Sequence, residues 1–128
     1  MNVAQLKDYC RGFPHAREVL YGEPYNFLVY SVGNRKFAYF KTSQPERWRF
    51  STRVSFDRFI ELTDMPGVKP ARYRGRYQWI TIVHVSRFPA TYLTELVGWS
   101  YEKALGSLGK AAQNAIRGLP EVRPGAVH

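Results

Sequence analysis

This sequence predicts an α+β domain, a single antiparallel sheet with an N-terminal helix, a short middle helix and a long C-terminal helix packed on it. Three observations carry that expectation. Two aromatic-rich runs, Tyr25 to Val32 and Arg35 to Thr42, are joined by Gly33-Asn34, a strong signal for a tight hairpin. Leu93, Leu96, Val97, Ser100, Tyr101, Ala104, Leu105 and Leu108 recur at helical spacing and form the clearest stripe in the chain. The order helix, strands, short helix, strands, long helix suits helices gathered on one antiparallel sheet rather than alternating crossover units. The expected domain covers residues 1–118 of the 128, with 119–128 as a loosely ordered tail carrying Pro120, Pro124 and Gly125.

Asn2 and Gln5 are spaced as a capping box, so a helix is expected to start there. Val3, Leu6, Cys10 and Phe13 fall on one stripe of it, and Gly12 with Pro14 ends it. Cys10 sits within that stripe, as a small core residue would, and no His–acid pair beside it suggests a nucleophile. A short strand over Ala16 to Tyr21 precedes the hairpin. Ser43-Gln44-Pro45-Glu46 reads as a turn and Arg47 to Arg53 as the next strand. Alternation in that strand puts Arg47, Arg49, Ser51 and Arg53 on a wet face, and Trp48, Phe50 and Thr52 on the other. Ser55 is a good N-cap for a short helix, Phe56 to Asp64, expected to bury Phe56, Phe59, Ile60 and Thr63. Met65-Pro66-Gly67 ends it. Trp79 to Val85 is apolar and β-branched, as a buried strand requires. Pro89 fits the first turn of the last helix, and Ala111 to Arg117 either extends that helix or forms a separate one after Gly109. Trp99 lies opposite the apolar stripe, in line with Tyr92 and Glu95, and is expected either to be covered by the C-terminal segment or to mark a protein contact.

A hydrophobic content of 45% and aromatic content of 16% exclude a disordered chain, and the net charge of +9 favours a polyanionic partner. The lone Cys10 excludes an intramolecular disulfide and a Cys-based zinc site. With no signal-peptide core and no apolar run of spanning length, a cytoplasmic protein without membrane contact is expected. His15, His84 and His128 are scattered, and no metalloprotease, phosphate-loop or nucleophile-elbow motif is present, so no enzyme, metal or cofactor is expected. The excess charge is local. Tyr25 to Arg53 holds six basic residues and one acid, and Gly67 to Phe88 five basic residues and none, whereas Met1 to Pro24 is neutral and Val54 to Pro66 is net −2.

The densest part of that excess is V-K-P-A-R-Y-R-G-R-Y-Q-W-I-T-I-V-H-V, Val68 to Val85. Lys69, Arg72, Arg74 and Arg76 interleave with Tyr73 and Tyr77 ahead of the apolar strand, with Gly75 at a turn or bulge. This is either an arm presented to an anion or a solvated hairpin. Arg35, Lys36, Arg47, Arg49, Arg53, Arg72, Arg74 and Arg76 are the candidate phosphate contacts, and Tyr73, Tyr77 or an exposed Trp48 the candidate stacking groups for unpaired bases. For Trp79 and Phe50 a core position is the stronger expectation. A protein-interaction module contacting its partner through Tyr92 and Trp99 is the alternative.

Y-G-E-P-Y (Tyr21 to Tyr25), V-G-N-R-K-F-A (Val32 to Ala38), M-P-G-V (Met65 to Val68), W-I-T-I (Trp79 to Ile82) and the Glu95-Leu96 and Ser100-Tyr101 pairs of the last helix occur in order. In these the chain resembles the MmcQ/YjbR-like proteins, small bacterial α+β domains, over nearly everything from Leu6 to Leu108. The resemblance implies a "double wing" sheet-and-helix fold related in shape to the frataxin-like fold. It also implies the family's usual label, DNA binding, a label that rests on shape. DNA rather than RNA is therefore the expected partner, bound by a monomer or weak homodimer. The family's Gly- and Lys-containing turn falls on Gly33 to Lys36 and its basic segment on Arg74 to Tyr77. Gln78 stands where many members have His, so no role of that His carries over. Frataxin-like iron handling would need an acidic surface, and the first helix offers only Asp8.

Overall fold

The helix-start signals are realised as hydrogen bonds. Asn2 Oδ1 accepts from the Gln5 backbone N–H at 2.8 Å while Gln5 Oε1 accepts from the Asn2 N–H at 2.9 Å, closing the capping box that opens α1 (Val3–Arg11). Ser55 Oγ accepts from the Arg58 N–H and starts α2 (Phe56–Thr63). Pro89 precedes α3 (Ala90–Gly106), and Gly109 separates it from α4 (Lys110–Arg117). The computed structural model describes residues 1–72 and 74–118, with the side chain of Arg76 excepted. The tail expected over 119–128, and its covering of Trp99, lie outside those residues.

The strands are β1 (Ala16–Tyr21), β2 (Phe27–Val32), β3 (Arg35–Lys41), β4 (Phe50–Arg53), β5 (Val68–Pro70) and β6 (Trp79–Ile82). They form one sheet in the order β1-β2-β3-β4-β6-β5, every neighbouring pair antiparallel. Helices α1, α2 and α3 pack on one face of it. Leu28, Tyr30, Val32, Phe40, Phe50, Ile80 and Ile82 point into that covered face and meet Leu6, Cys10, Leu62 and the α3 stripe in one core. Burial pushes the Cys10 thiol up to about 12, which keeps it protonated and supports its reading as a core residue.

One irregularity sets the phase of β3. Tyr30 pairs with Ala38 but Ser31 with Lys36, so Phe37 is an extra, bulged residue. Phe37 and Ala38 are both fully buried. The Phe37 ring packs edge-on against Phe13 and Tyr101. The Phe37 carbonyl accepts from Thr52 Oγ1 at 2.9 Å and from Ser100 Oγ at 2.7 Å, and Ser100 Oγ in turn accepts from the Arg53 backbone N–H. Ser100 thereby ties α3 to β3 and β4. At the hairpin turn Gly33 has φ +58, and a Cβ there would lie 3.0 Å from the Leu108 methyls, so both conformation and space call for glycine.

Three expectations are corrected. The strand expected over Arg47 to Arg53 begins only at Phe50, because the chain is left-handed at Glu46 and Trp48 (φ 57 and 71). The arginine-lined wet face therefore does not form. Arg47 and Arg49 precede the strand, and Ser51 is buried in a 2.7 Å hydrogen bond with Thr81. Trp48 is not an exposed stacking ring: it packs edge-on against Phe40 with Lys7 Nζ 3.8 Å from its ring centre. In α2, Phe56 and Ile60 are 62% and 53% exposed while Leu62 is fully buried. The helix meets β5 and β6, and the positions that turn inward are Phe59 and Leu62, three apart. The strand expected over Trp79 to Val85 ends at Ile82, and Val85 is buried from a 3-10 turn, Val85–Arg87.

Candidate nucleic-acid interface

The register places a second set of side chains on the face that α1, α2 and α3 leave open. Tyr21 pairs with Phe27, Val29 with Tyr39, Tyr39 with Ser51, and Ser51 with Thr81. This row opposes the core-facing set, since neighbouring residues along a strand point to opposite faces. The Phe27 and Tyr39 rings meet edge-on at 5.4 Å, and Tyr39 lies 5.6 Å from Trp79 at a shallow angle. Trp79 is buried on this open face. The loop after β5 closes over it: the Arg74 guanidinium lies 5.4 Å from the Trp79 ring centre and 5.9 Å from that of Tyr39, a cation–π arrangement. The resulting groove encloses about 570 Å³ and is lined by Tyr21, Tyr25, Phe27, Val29 and Tyr39 together with Lys36, Arg72 and Arg74. Tyr21 is 45% and Tyr25 68% exposed, so the aromatic wall is accessible.

Cations gather at both ends of this groove. Toward the start of β3 a recess of about 310 Å³ shares Lys36 and Arg74 with the groove and adds Arg35 and Arg53, with Ser100 and Ser107 of α3 behind them. No carboxylate is among the described residues that line it. Toward the end of β3 stand Lys41, Arg49, Lys69 and Arg72, near enough that burial and these neighbouring cations lower the Lys41 pKa against the pull of Glu46. Glu46 is the acid of this group. Its Oε1 accepts from Lys69 Nζ at 2.8 Å and from Arg49 Nη1 at 2.9 Å, and these bonds hold the carboxyl below its ordinary range.

Of the residues singled out from the sequence, Arg35, Lys36, Arg53, Arg72 and Arg74 line these two spaces. Arg49 is tied to Glu46. Arg47 is exposed in the loop before β4 and lines none of them, and Tyr77 is half exposed in the 3-10 turn Gly75–Tyr77. Tyr73 and the Arg76 side chain fall outside the described residues. The alternative pair divides. The Tyr92 hydroxyl accepts from Arg58 Nη1 at 2.6 Å and donates to Glu61 at 3.3 Å, with the Arg58 guanidinium over its ring. Trp99, 39% exposed, edges a small cleft with Val54, Arg58 and Leu96.

Sequence reasoning missed the aromatic wall. Tyr21 and Tyr25 stood in a recognised motif, and Tyr39 is the outward member of F-A-Y-F once Phe37, Ala38 and Phe40 are assigned inward. The bulge hides that assignment from simple alternation.

Among the described residues no group of three or more His, Cys, Asp or Glu comes together to hold a metal, and no helix is long and apolar enough to cross a membrane. A family model described as YjbR matches residues 11–103. Among solved structures, the Deinococcus radiodurans protein DR2400, described with the domain DUF419, is 27% identical with a TM-score of 0.78, over 99% of this chain and 95% of that one. A protein from Pseudomonas syringae is 17% identical with a TM-score of 0.65, over 81% of this chain and 99% of its own, and shares the fold. Comparison with curated proteins gives no significant match.

Proposed function

The chain belongs to the YjbR family, and we propose that it binds nucleic acid through the open face of its sheet, with unpaired strands preferred over duplex. The observation that carries this reading is that the rings of Tyr21, Tyr25, Phe27 and Tyr39 and the cations Lys36, Arg72 and Arg74 line one groove. Stacking on aromatic rings is open only to bases that have left the helix, while the cations track phosphates regardless of sequence. An antiparallel sheet offering rings from adjacent strands is also how single-stranded RNA is commonly held, so DNA and RNA share this chemistry.

The decisive experiment is titration of labelled single-stranded and double-stranded DNA, and of single-stranded RNA, at two salt concentrations. The reading expects single strands to bind more tightly than duplex, and affinity to fall steeply with salt. Flat curves for every form at low salt remove it. A protein partner docked at Trp99 remains the rival. What favours it is the exposure of Phe56, Ile60 and Trp99 on the helical side, and the Tyr92 hydroxyl, already engaged by Arg58 and Glu61, contributes little to it.

A further inference from the structure

We infer that the recess between the start of β3 and α3 is a pocket for a terminal phosphate monoester, so that the groove holds a strand whose phosphorylated end sits in that recess. This rests on the nucleic-acid reading of the groove and specifies which part of the strand is recognised.

Three observations on the recess support it. Arg35, Lys36, Arg53 and Arg74 all line a space of about 310 Å³, with no acid among its described lining residues. Such a concentration of like charge favours an anion of more than one charge. An internal phosphodiester carries one, whereas a monoester near neutral pH carries close to two and three acceptor oxygens. Second, Arg53 Nε is fully covered and, among the described residues, is the buried side-chain donor that meets no acceptor. A covered charged donor left unmatched is destabilising, and a small shift of the Arg53 side chain toward an oxyanion in the recess it lines would satisfy it. Third, the recess shares Lys36 and Arg74 with the groove, and it is lined also by Ser100 of α3 and by Ser107 at that helix's end. A chain entering from the aromatic wall meets a helix there, as suits a terminus.

The Glu46 group at the other end of β3 makes a useful contrast. Its cations already hold a carboxylate, so the same demand for a dianion does not arise.

The test uses one short single-stranded DNA sequence carrying an internal fluorophore, prepared with hydroxyls at both ends, with a 5′-phosphate and with a 3′-phosphate. Anisotropy titrations with the full chain are expected to show at least one phosphorylated form binding roughly tenfold more tightly than the hydroxyl form, as two or three charge-assisted hydrogen bonds would give. In Arg53→Gln, and separately in the exposed-site variant Arg35→Ala, the ratio between those two affinities is expected to fall to about one. Circular dichroism confirms that each variant is folded. Equal affinities of all three forms for the parent protein overturn the pocket and leave the groove reading standing. A ratio that persists in folded Arg53→Gln and Arg35→Ala overturns the assignment to this recess. No binding of any form removes the groove reading, and the pocket falls with it.

Discussion

The two faces of the sheet are built from similar residues and put to different uses. The covered face is a continuous apolar surface of Leu28, Tyr30, Val32, Phe40, Phe50, Ile80 and Ile82, closed by helices. The open face is also rich in rings, with Tyr21, Phe27, Tyr39 and Trp79, but among the described residues what folds over part of it is Arg72 and Arg74, arginines instead of leucines. On one face the rings contribute to stability by being removed from water, and on the other Tyr21, Phe27 and Tyr39 stay within reach of it while Trp79 is buried. Aromatic content alone does not separate these uses. What separates them is which strand parity a helix covers.

Substitutions on each face should therefore part company, and the largest effect belongs to the covered side. Leu96→Ala, in the buried α3 stripe, should lower unfolding free energy by about 2–5 kcal/mol in denaturant melts and leave nucleic-acid affinity, measured below the transition, unchanged. A loss of only a few tenths of a kcal/mol would mean that α3 does not seal that face. On the open side Tyr25→Ala should do the reverse. The residue is 68% exposed, so the melting curve should barely move, while single-strand affinity should fall by about 1–3 kcal/mol and duplex affinity by much less. Equal losses on both substrates would break the stacking interpretation.

Arg72→Ala and Arg74→Ala refine the contrast within one loop. Each should flatten the slope of log affinity against log salt by about one unit. Arg74→Ala should also reduce stability, by about 0.5–1 kcal/mol, since its guanidinium rests on Trp79 and Tyr39. From the sequence alone this arm was either presented to an anion or a solvated hairpin, and the stacking of Arg74 on Trp79 and Tyr39 departs from the second of these. Smaller still is Glu46→Gln. It removes the acid of the Lys41–Arg49–Lys69–Arg72 group and should tighten binding of any nucleic acid while lowering stability by up to about 1 kcal/mol. The stability difference has a defined pH course. Glu46 titrates lower in the folded chain than in the unfolded one, so its contribution is complete above the usual carboxylate range. It disappears as pH falls through the lower folded value. Unfolding curves of the two proteins should therefore converge in acid; a constant offset would place the effect in the loop backbone instead.

Much of this molecule is legible in its sequence wherever local chemistry decides the outcome. The Asn2–Gln5 capping box, the Ser55 cap, the Gly33-Asn34 turn and the α3 stripe each depend on neighbours within a turn or two, and each forms as expected. The misreadings arise where a distant contact decides. Phe56 and Ile60 look like core positions by spacing, yet α2 turns Leu62 to the sheet. The Arg47–Arg53 segment alternates like a strand, yet left-handed residues at Glu46 and Trp48 delay it. Charge counting found the basic regions, but it could not show that Arg49 is held by Glu46 while Arg35 and Arg53 face a recess lined by no acid among the described residues.

The bulge at Phe37 has a consequence for how this hairpin can change. A strand is read in twos, and one inserted residue shifts the frame of everything before it. Without the extra residue, Phe37 would pair with Ser31 on the open face and Lys36 with Val32 on the covered one, exchanging a core ring for a buried ammonium and a groove cation for a ring. The count of residues between Tyr30 and Ala38 is thus under stricter constraint than their identities. Substitutions at Asn34 or Arg35 should preserve the architecture, whereas deleting one residue there would exchange Lys36 and Phe37 between the two faces at once. A relative that lengthens or shortens this turn by one can keep the groove only by restoring the frame elsewhere in the same hairpin.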